Sequence, residues 1–560
     1  MRRVRSIADD QRYKLHSIVS FLLCVVLAFI WISFVARQWF PAFSEFQYDD
    51  AFITYRYSAN LANGNGLVFN VGDPTNSASS FLWAILLVPA YLVTGENLPV
   101  ASLLLSHASF AMSAGVMYEV ARRLAGRTYG QFAGVVAAIL FVTSPYLLYW
   151  TQSGMETAFF ILTLLLCILA TVLLIEDQTT KPRLVGALCV ATYGLLTLTR
   201  WEGFAIALGL GVLIAISGFV CTDGSMLGRL RSCDFRPLLL SATCALGLLI
   251  FYQVSYGSFI PDAIRFKRLS YYYIRDEREA FLGTASFVYS NFGWLLLVFG
   301  ALAVLGSVAN LIRLPRNRRS WQLMVAPAVL VGLFVLVLNS AHSDYFRYET
   351  VLTVPIILAF TQLPALLRSP IFIERSSFEF VRFTVLTALV VVAYVSVVML
   401  PQRLNAMVEV TSTYDYLSES RKNLAMRVRD QLDESDVVLS GDIGVLSFYA
   451  LDSRFFDSSG LTNRGLIDGL MDGLVYDELL QSAKPTHLLD TITMEQISGV
   501  SEVYDRPDRY FVGLSAVQVP ECSFQEAFDL DLLDSELDAS KGNLGVGFFE
   551  MEEGPCGAID

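Results

Sequence analysis

The feature that most constrains this chain is a series of long apolar stretches. The first covers residues 18–36, and eleven more centre near residues 87, 109, 140, 165, 192, 211, 246, 302, 330, 360 and 391. A membrane-spanning helix needs about 20 mainly apolar residues. The 560 residues are 54% hydrophobic and only 16% charged, whereas about a quarter of a soluble protein is charged. The sequence therefore predicts a multi-span helical membrane protein.

The number of spans depends on residues 79–96, the shortest stretch, which Pro89 interrupts. If this stretch lies along the interface, the cytoplasmic loops carry 20 Lys and Arg residues, and the outer loops before residue 401 carry 9. If it crosses the membrane, every later loop changes side and the bias is inverted. Because basic residues favour cytoplasmic loops, we predict eleven spans, with residues 1–16 in the cytoplasm and the C-terminal part outside.

The C-terminal part differs sharply in charge from the rest. Residues 401–560 contain 11 Lys and Arg against 30 Asp and Glu, and the first 400 residues contain 29 against 22. A helical stretch at about 404–432 precedes "VVLSGDIGVLSFY", which indicates a strand followed by a glycine turn, and "PTHLLDT" is another short strand candidate. The acidic end "DLDLLDSELDASKGN" is expected to be loose. We predict a membrane module at 17–400, with a first outer loop at 37–97, and an extracytoplasmic acidic α/β domain at 401–560. An acidic tail does not favour nucleic acid as a partner.

Under this topology, the polar segments between the spans collect on the outer face. They are "YDDAFITYRY", "YWTQSGMET", "TLTRWEG", "YGSFIPDAIRFKRLSYYYIRDER" and "SAHSDYFRYE". A carboxylate in such a place can take a proton from a hydroxyl group. Cations can stabilise a departing lipid phosphate, and the spans can hold a lipid chain. These segments predict chemistry on a lipid-linked substrate at the outer surface.

Each of these charged residues also has a structural interpretation. Apolar residues recur at helical spacing after Asp50 up to Gly64, so Asp49 or Asp50 could be a helix N-cap. Glu156 could cap its own span, while Arg200 with Glu202 and Arg347 with Asp344 could form ion pairs. Three cations, Arg265, Lys267 and Arg268, lie outside against the positive-inside trend and suggest a counter-anion.

These segments resemble the GT-C class of integral-membrane glycosyltransferases, in particular a bacterial branch of arabinofuranosyltransferase-like enzymes. "DDAFITYRYSANLANGNGLVFNVGDPTNSASSFLW" is similar to the first motif of that branch. "SGMETA", "LTRWEG", "YGSFIPDAIRFK" and "GDIGVLSFYALDSRFFDSSGLTN" resemble later motifs in the same order. The chain departs from the family pattern at residues 76–79, where Asn-Ser-Ala-Ser replaces the usual EGYT, at Trp201, which replaces Pro, and at Asp262, which replaces Asn. The sugar or the acceptor is therefore expected to differ from those of the best-known members.

The resemblance implies inverting transfer of a sugar from a polyprenyl phosphate to an envelope glycan, lipid or protein, on the outer face of a bacterial plasma membrane. Asp49 or Asp50 is then the catalytic base. Asp49 is favoured because the helical pattern begins at Ala51, which makes Asp50 the natural cap. Candidates for binding the donor phosphate are Lys267, which matches a family lysine, Arg265, Arg347 and Arg200. Candidates for positioning the acceptor or the substrate are Arg56, Glu156, Glu202 and Asp344.

Some GT-C enzymes use a divalent metal and others do not. An acidic pair with cations nearby favours a metal-free site, although a metal remains compatible with the sequence. Two rival functions stay open: a transporter or flippase of a lipid-linked sugar, and a sensor whose acidic tail binds a ligand. A transporter usually has a midplane charged site and internal repeats, and we find neither in this sequence.

Overall fold

The computed structural model describes residues 2–40, 47–78, 80–176, 182–220, 225–226, 235–269, 347, 349–367, 394–433, 435–440, 443–457, 462–465, 468, 486–493, 528–538 and 544–553. The described helices before the tail are α1 (Arg2–Trp39), α2 (Asp49–Ala62), α3 (Phe81–Thr94), α4 (Leu98–Leu124), α5 (Gly126–Val142), α6 (Pro145–Gln152), α7 (Thr157–Glu176), α8 (Pro182–Thr199), α9 (Trp201–Val220), α10 (Arg236–Tyr256), α11 (Asp262–Leu269) and α12 (Thr353–Leu367). A π-helical turn, Tyr394–Met399, leads into α13 (Leu400–Val428), and the short helix α14 (Gly444–Tyr449) follows.

Several of these helices are long and apolar enough to cross a membrane. Within the described residues there are four such segments, Leu15–Trp39, Phe81–Leu124, Thr157–Leu174 and Arg236–Tyr256, or five if the bent pair Tyr129–Val142 and Pro145–Gln152 forms one span. The prediction of a multi-span helical membrane protein therefore agrees with the structure. The count of eleven spans stays a prediction, because several of the apolar stretches lie outside the described residues.

Burial separates inner helices from outer ones. In the apolar windows of Leu15–Trp39 and Arg236–Tyr256, 17% of the residues are buried, whereas the share is 67% in those of Phe81–Leu124 and Thr157–Leu174. Large apolar side chains such as Leu22, Ile30 and Leu239 are exposed on the outer helices. The inner helices thus form the core of the membrane module, and the outer ones present apolar surface suited to lipid.

The described residues of the C-terminal part form a five-stranded mixed sheet. Its strands are β1 (Val437–Ser440), β2 (Arg454–Asp457), β3 (His487–Thr493), β4 (Phe528–Asp538) and β5 (Leu544–Glu553), in the order β2-β1-β3-β5-β4. Strand β1 pairs in parallel with β2 and β3, and β5 pairs antiparallel with β3 and β4. Whether residues 401–560 form a separate domain stays a prediction.

One expectation for this part was wrong. The acidic segment expected to be loose contains β4, which pairs with β5 along its length, with an irregularity between Leu532 and Asp534. Its sequence, "FDLDLLDSELD", begins by alternating apolar and acidic residues, which is a strand pattern. A strand in a mixed sheet can keep one face polar, so acidic residues at every second position are compatible with a strand. The high overall charge of the segment had instead indicated a loose end.

Candidate active site

Helix α2 places the two predicted aspartates at its first two positions. The helix begins at Asp49 and Tyr48 occupies its N-cap, so the expectation that Asp50 caps this helix was wrong. The helix ends at Ala62, where Gly64 and Gly66 take positive φ angles of 84° and 87° that favour glycine. This end agrees with the predicted helical pattern up to Gly64. Ten of its residues, Ala51 to Asn60, are buried.

Asp50 lies at one end of a chain of alternating charges. Its Oδ2 is 3.3 Å from a terminal nitrogen of Arg347, and the other terminal nitrogen of Arg347 is 3.5 Å from Glu156 Oε1. Arg200 approaches the same Glu156 oxygen at 3.5 Å and Glu202 at 3.4 Å. The order is therefore Asp50, Arg347, Glu156, Arg200, Glu202, with three carboxylates and two guanidinium groups. Five of the ten predicted site residues form this one network.

Exposure changes along this chain of charges. The Glu156 side chain is 1% exposed and lies between the two arginines, whose side chains are 4% and 10% exposed. The Asp50 side chain, by contrast, is 45% exposed. Arg347 also lies over the ring of Trp150, at 5.8 Å from its centroid. A buried ion-paired core thus supports one carboxylate that solvent or a substrate can reach.

Asp49 has a different environment. Its Oδ2 accepts a hydrogen bond of 2.9 Å from the backbone N–H of Gly444, and its Oδ1 accepts one of 2.9 Å from Val445. Both residues belong to the first turn of α14, in the C-terminal part of the chain. The two adjacent aspartates are therefore not equivalent, since Asp49 holds backbone of the tail and Asp50 faces Arg347.

The turn between α6 and α7 places Glu156. Gly154 takes a φ of 76°, and a Cβ added there would overlap the side chains of Gln47 and Tyr55. Its carbonyl accepts hydrogen bonds from Tyr55, at 3.1 Å, and Ser102, at 2.8 Å. Hydrogen bonds thus connect the "SGMET" motif to α2 and to α4, and they fix the turn from which Glu156 reaches the two arginines.

Arg56 is buried away from the chain of charges. Its guanidinium donates hydrogen bonds to the carbonyls of Phe69 (2.6 Å), Ala450 (3.2 Å), Ser453 (2.8 Å) and Ser447. It lies between the Phe69 and Phe455 rings, at 4.9 and 5.0 Å from their centroids. The structure therefore places Arg56, predicted to position a substrate, as a link between the predicted first outer loop, residues 37–97, and the tail.

Asn70 makes a second link to the tail. Its side-chain amide donates to the carbonyl of Phe455 at 2.8 Å and accepts from the N–H of the same residue at 3.0 Å. Among the described strands, β2 lies at the edge of the sheet, and Asn70 hydrogen-bonds to backbone groups of this strand. Asn70 closes the "LVFN" segment of the first motif, but no role was predicted for it. The sequence contained an indication of a role for Asn70, because this polar residue ends an otherwise apolar run.

The predicted cation Arg265 belongs to a separate cluster. It pairs with Asp262 at 3.1 Å and with Asp468 of the tail. Asp262 accepts from the N–H of Asn76 at 2.9 Å and donates its own N–H to the Asn76 carbonyl at 2.9 Å. Burial raises the pKa of Asp262 above its ordinary value, against the opposing effect of the Asn76 hydrogen bond. Two departures from the family pattern, at positions 76 and 262, are therefore in direct contact.

A narrow cleft with a volume of about 10 Å³, roughly the room that one water molecule needs, includes Arg200 in its lining. It lies among α3, α8, α9 and α10, and its aromatic lining residues are Phe81, Trp201, Phe204 and Tyr252. Arg200 belongs both to this lining and to the chain of charges. The cleft is too small in this structure for a lipid chain, and it surrounds the Arg200 cation with aromatic side chains.

Two predicted residues cannot be placed by side chain. Lys267 lies in α11, but its side chain is outside the described residues, and Asp344 lies wholly outside them. In the described part, no group of three or more His, Cys, Asp or Glu side chains is arranged to hold a metal ion. The carboxylates of Asp50, Glu156 and Glu202 are separated by guanidinium groups, so these side chains do not fit a divalent cation.

Comparison with known proteins gives structural matches only. No family model and no curated protein sequence matches the chain. ArnT from Cupriavidus metallidurans bound to undecaprenyl phosphate is 12% identical, with a TM-score of 0.53 over 95% of this chain and 97% of that one. The oligosaccharyltransferase AglB from Archaeoglobus fulgidus, in complex with an inhibitory peptide and a dolichol-phosphate, is 14% identical, with a TM-score of 0.54 over 94% and 74%.

A third match is the arabinofuranosyltransferase AftD from Mycobacteria, 15% identical with a TM-score of 0.50, covering 96% of this chain and 40% of AftD. All three are GT-C glycosyltransferases. The apolar helices and these matches together confirm the resemblance at the level of the fold: the chain has the GT-C fold of integral-membrane glycosyltransferases.

Proposed function

We propose that this protein is a glycosyltransferase that moves a sugar from a polyprenyl-phosphate donor to a hydroxyl group of an envelope glycan, lipid or protein, on the outer face of a bacterial plasma membrane. The observation that carries the proposal is a half-exposed carboxylate, Asp50, joined through Arg347 and Glu156 to Arg200. A carboxylate that can accept a proton and cations that can stabilise a phosphate are thus parts of one network. The fold shared with proteins bound to undecaprenyl phosphate and dolichol-phosphate supports this donor class.

Asp50 is the base in this proposal. Its carboxylate takes the proton of the acceptor hydroxyl, whose oxygen attacks the anomeric carbon of the donor sugar. The bond from that carbon to the phosphate oxygen breaks, and its electron pair leaves with the polyprenyl phosphate. A single displacement inverts the anomeric configuration. We assign the proton to Asp50 rather than Asp49 because both oxygens of Asp49 accept backbone hydrogen bonds.

The remaining charges have supporting roles. Arg347 sits 3.3 Å from Asp50 and balances the negative charge of this carboxylate. Arg200 provides positive charge, and such a cation can stabilise the charge that develops on a phosphate leaving group. Lys267, and Arg265 beside the tail, remain proposed donor-phosphate ligands on the basis of the sequence motif. Glu202 and Asp344 remain proposed to position the substrate.

The test is transfer by the purified full-length protein in lipid nanodiscs. Radiolabelled polyprenyl-phosphate sugars are supplied one at a time, and both the released polyprenyl phosphate and the labelled acceptor are measured. Asp50→Asn keeps the shape of the side chain but cannot accept the proton, so turnover should fall by about 100-fold or more. Asp433→Asn, an exposed tail aspartate, is the matched control and should keep the wild-type rate.

Two results would contradict the proposal. Wild-type turnover from Asp50→Asn would remove the assigned base. Movement of an intact lipid-linked sugar across a vesicle membrane, without cleavage of its phosphate bond, would instead identify a transporter.

A further inference from the structure

We infer that Asp49 is a positioning residue, which holds the tail helix α14 against α2 and thereby fixes the orientation of Asp50. This inference rests on the proposed function, because it assigns the base to Asp50. It makes a segment nearly 400 residues downstream part of the catalytic site. The segment is 444–455, and it is called the tail clasp below.

The first observation is how Asp49 binds the clasp. Its two carboxylate oxygens accept the N–H groups of Gly444 and Val445, both at 2.9 Å. These N–H groups open α14, where a helix lacks internal acceptors. A carboxylate at this position is the preferred kind of cap. Asp49 therefore caps a helix in the tail, although it stands in the first turn of α2.

The second observation is the close approach at Gly444. A Cβ added there would overlap the backbone carbonyl of Asp49 and its Oδ2. Only glycine leaves room for the two backbones at this separation. The same contact that admits the Asp49 carboxylate thus brings the tail backbone against the peptide unit joining Asp49 to Asp50. The tail backbone therefore limits how far the first turn of α2, which carries Asp50, can move towards α14.

The third observation is that other residues of the first outer loop hold the same clasp. Arg56 donates to the carbonyls of Ser447, Ala450 and Ser453, and Asn70 makes two hydrogen bonds with the backbone of Phe455. The Phe52 ring packs against those of Phe448 and Tyr449, with centroids 5.8 and 6.1 Å apart. These contacts fix the clasp on α2 independently of Asp49, so loss of Asp49 should loosen the contact beside Asp50 without unfolding the chain.

A positioning role and a base role differ in their kinetic signatures. If Asp49 only positions Asp50, Asp49→Asn should lower kcat by about tenfold, and Asp49→Ala should lower it more, because it removes both hydrogen bonds. The KM for the donor should stay within about twofold. The acid limb of the kcat–pH profile should persist in both variants, since it reports ionisation of the base in the enzyme–substrate complex. Asp50→Asn should abolish that limb.

The matched variant acts from the tail. Gly444→Ala keeps both aspartates but forces the clasp away, and it should reproduce the kcat loss of Asp49→Ala. Gly247→Ala, where no atom of the described residues lies within 4 Å of the added Cβ, should leave kcat unchanged. An acid limb lost in Asp49→Asn but kept in Asp50→Asn would overturn the inference and make Asp49 the base. Wild-type kcat in both Asp49→Ala and Gly444→Ala would also overturn it.

A readout independent of activity separates this inference from the proposed function. Hydrogen exchange of the peptide at 443–450 should be at least about tenfold faster in Asp49→Ala than in the wild type, because two amides lose their acceptors. Unchanged exchange would refute the clasp even if sugar transfer is found. If no donor is used and exchange is still faster, the clasp stands as a contact and the proposed function fails.

Discussion

Arg56 shows how one buried side chain can decide whether two distant parts of a sequence form one site. The residue is 1% exposed, and its hydrogen-bond acceptors are backbone carbonyls both of the first outer loop and of the tail. A guanidinium group offers five donors in a rigid plane, whereas an ammonium group offers three around one atom. Its planar shape also fits the space between the Phe69 and Phe455 rings. Position 56 therefore requires arginine rather than positive charge alone.

Arg56→Lys should lower the free energy of unfolding by about 2–4 kcal/mol, because a lysine leaves buried carbonyls without donors at about 1–3 kcal/mol each. Urea unfolding in detergent, followed by tryptophan fluorescence, measures the change. The matched control is Arg429→Lys, at an exposed ion pair with Glu96, which should change stability by less than about 0.5 kcal/mol. Equal effects of the two substitutions would contradict the linking role of Arg56.

At this scale, the sequence predicted which charged residues lie together better than it predicted their roles. Asp50, Glu156, Arg200, Glu202 and Arg347 were selected from four separate segments, because charged residues beside apolar spans need a reason to be there, and the structure joins them in one network. Their assignment to a catalytic site stays a prediction. The roles of Asp49 and Arg56 could not be predicted in this way. Their partners are N–H and C=O groups of the tail, and every residue except proline carries both groups. A backbone partner leaves no mark in the pattern of side chains.

At the scale of structural elements, the short segments 153–156 and 444–449 determine where the charged side chains lie. Gly154 has a positive φ, and the Ser102 and Tyr55 hydroxyl groups donate to its carbonyl. Glu156 follows two residues later and lies between Arg200 and Arg347. A small displacement of this turn would move a buried carboxylate out of reach of both guanidinium groups. Breaking a buried ion pair by removing one partner costs about 3–5 kcal/mol.

Gly154→Ala should therefore destabilise the protein and lower its activity together. A positive φ costs a residue with a Cβ about 1–2 kcal/mol, and overlap in a packed site adds about 1–3 kcal/mol. We expect a loss of at least about 2 kcal/mol, measured by the same urea unfolding. Gly247→Ala should be neutral or slightly stabilising, because alanine is the better helix former by about 1 kcal/mol. A neutral Gly154→Ala would show that the turn does not hold Glu156.

The sequence predicted elements well where periodicity was strong, and poorly where charge obscured it. Helix α2, β1 and β3 were expected from their apolar patterns, and α13 covers most of the helical stretch placed at 404–432. Helix α14 was seen only as a glycine turn after a strand. It has six residues, fewer than a stable isolated helix needs, so its contacts with α2 and α13 stabilise it rather than its own sequence.

For the whole molecule, the contact between Asp49 and Gly444 bears on membrane topology. The carboxylate and the tail backbone lie 2.9 Å apart, so both must be on the same side of the membrane. With residues 1–16 in the cytoplasm, α1 carries the first outer loop outside. An even number of crossings must then separate α2 from α14, which makes the total odd. Eleven spans satisfy this condition and twelve do not, so the tail contact favours the topology expected from the distribution of basic residues.

Cysteine labelling tests this topology in intact cells. In a background with all eight native cysteines replaced by serine, Asp452→Cys, at an exposed turn of the tail, should react with a membrane-impermeant maleimide added outside. Met226 is 72% exposed and lies in the predicted cytoplasmic loop 220–236. The thiol of Met226→Cys should therefore react only after the membrane is permeabilised. Labelling in permeabilised cells is the control that both thiols are reactive.

If residue 452 were reached only from the cytoplasm, residues 79–96 would have to cross the membrane. Asp49 and Gly444 would then lie on opposite sides, and both the tail clasp and the outer-face site would be excluded together.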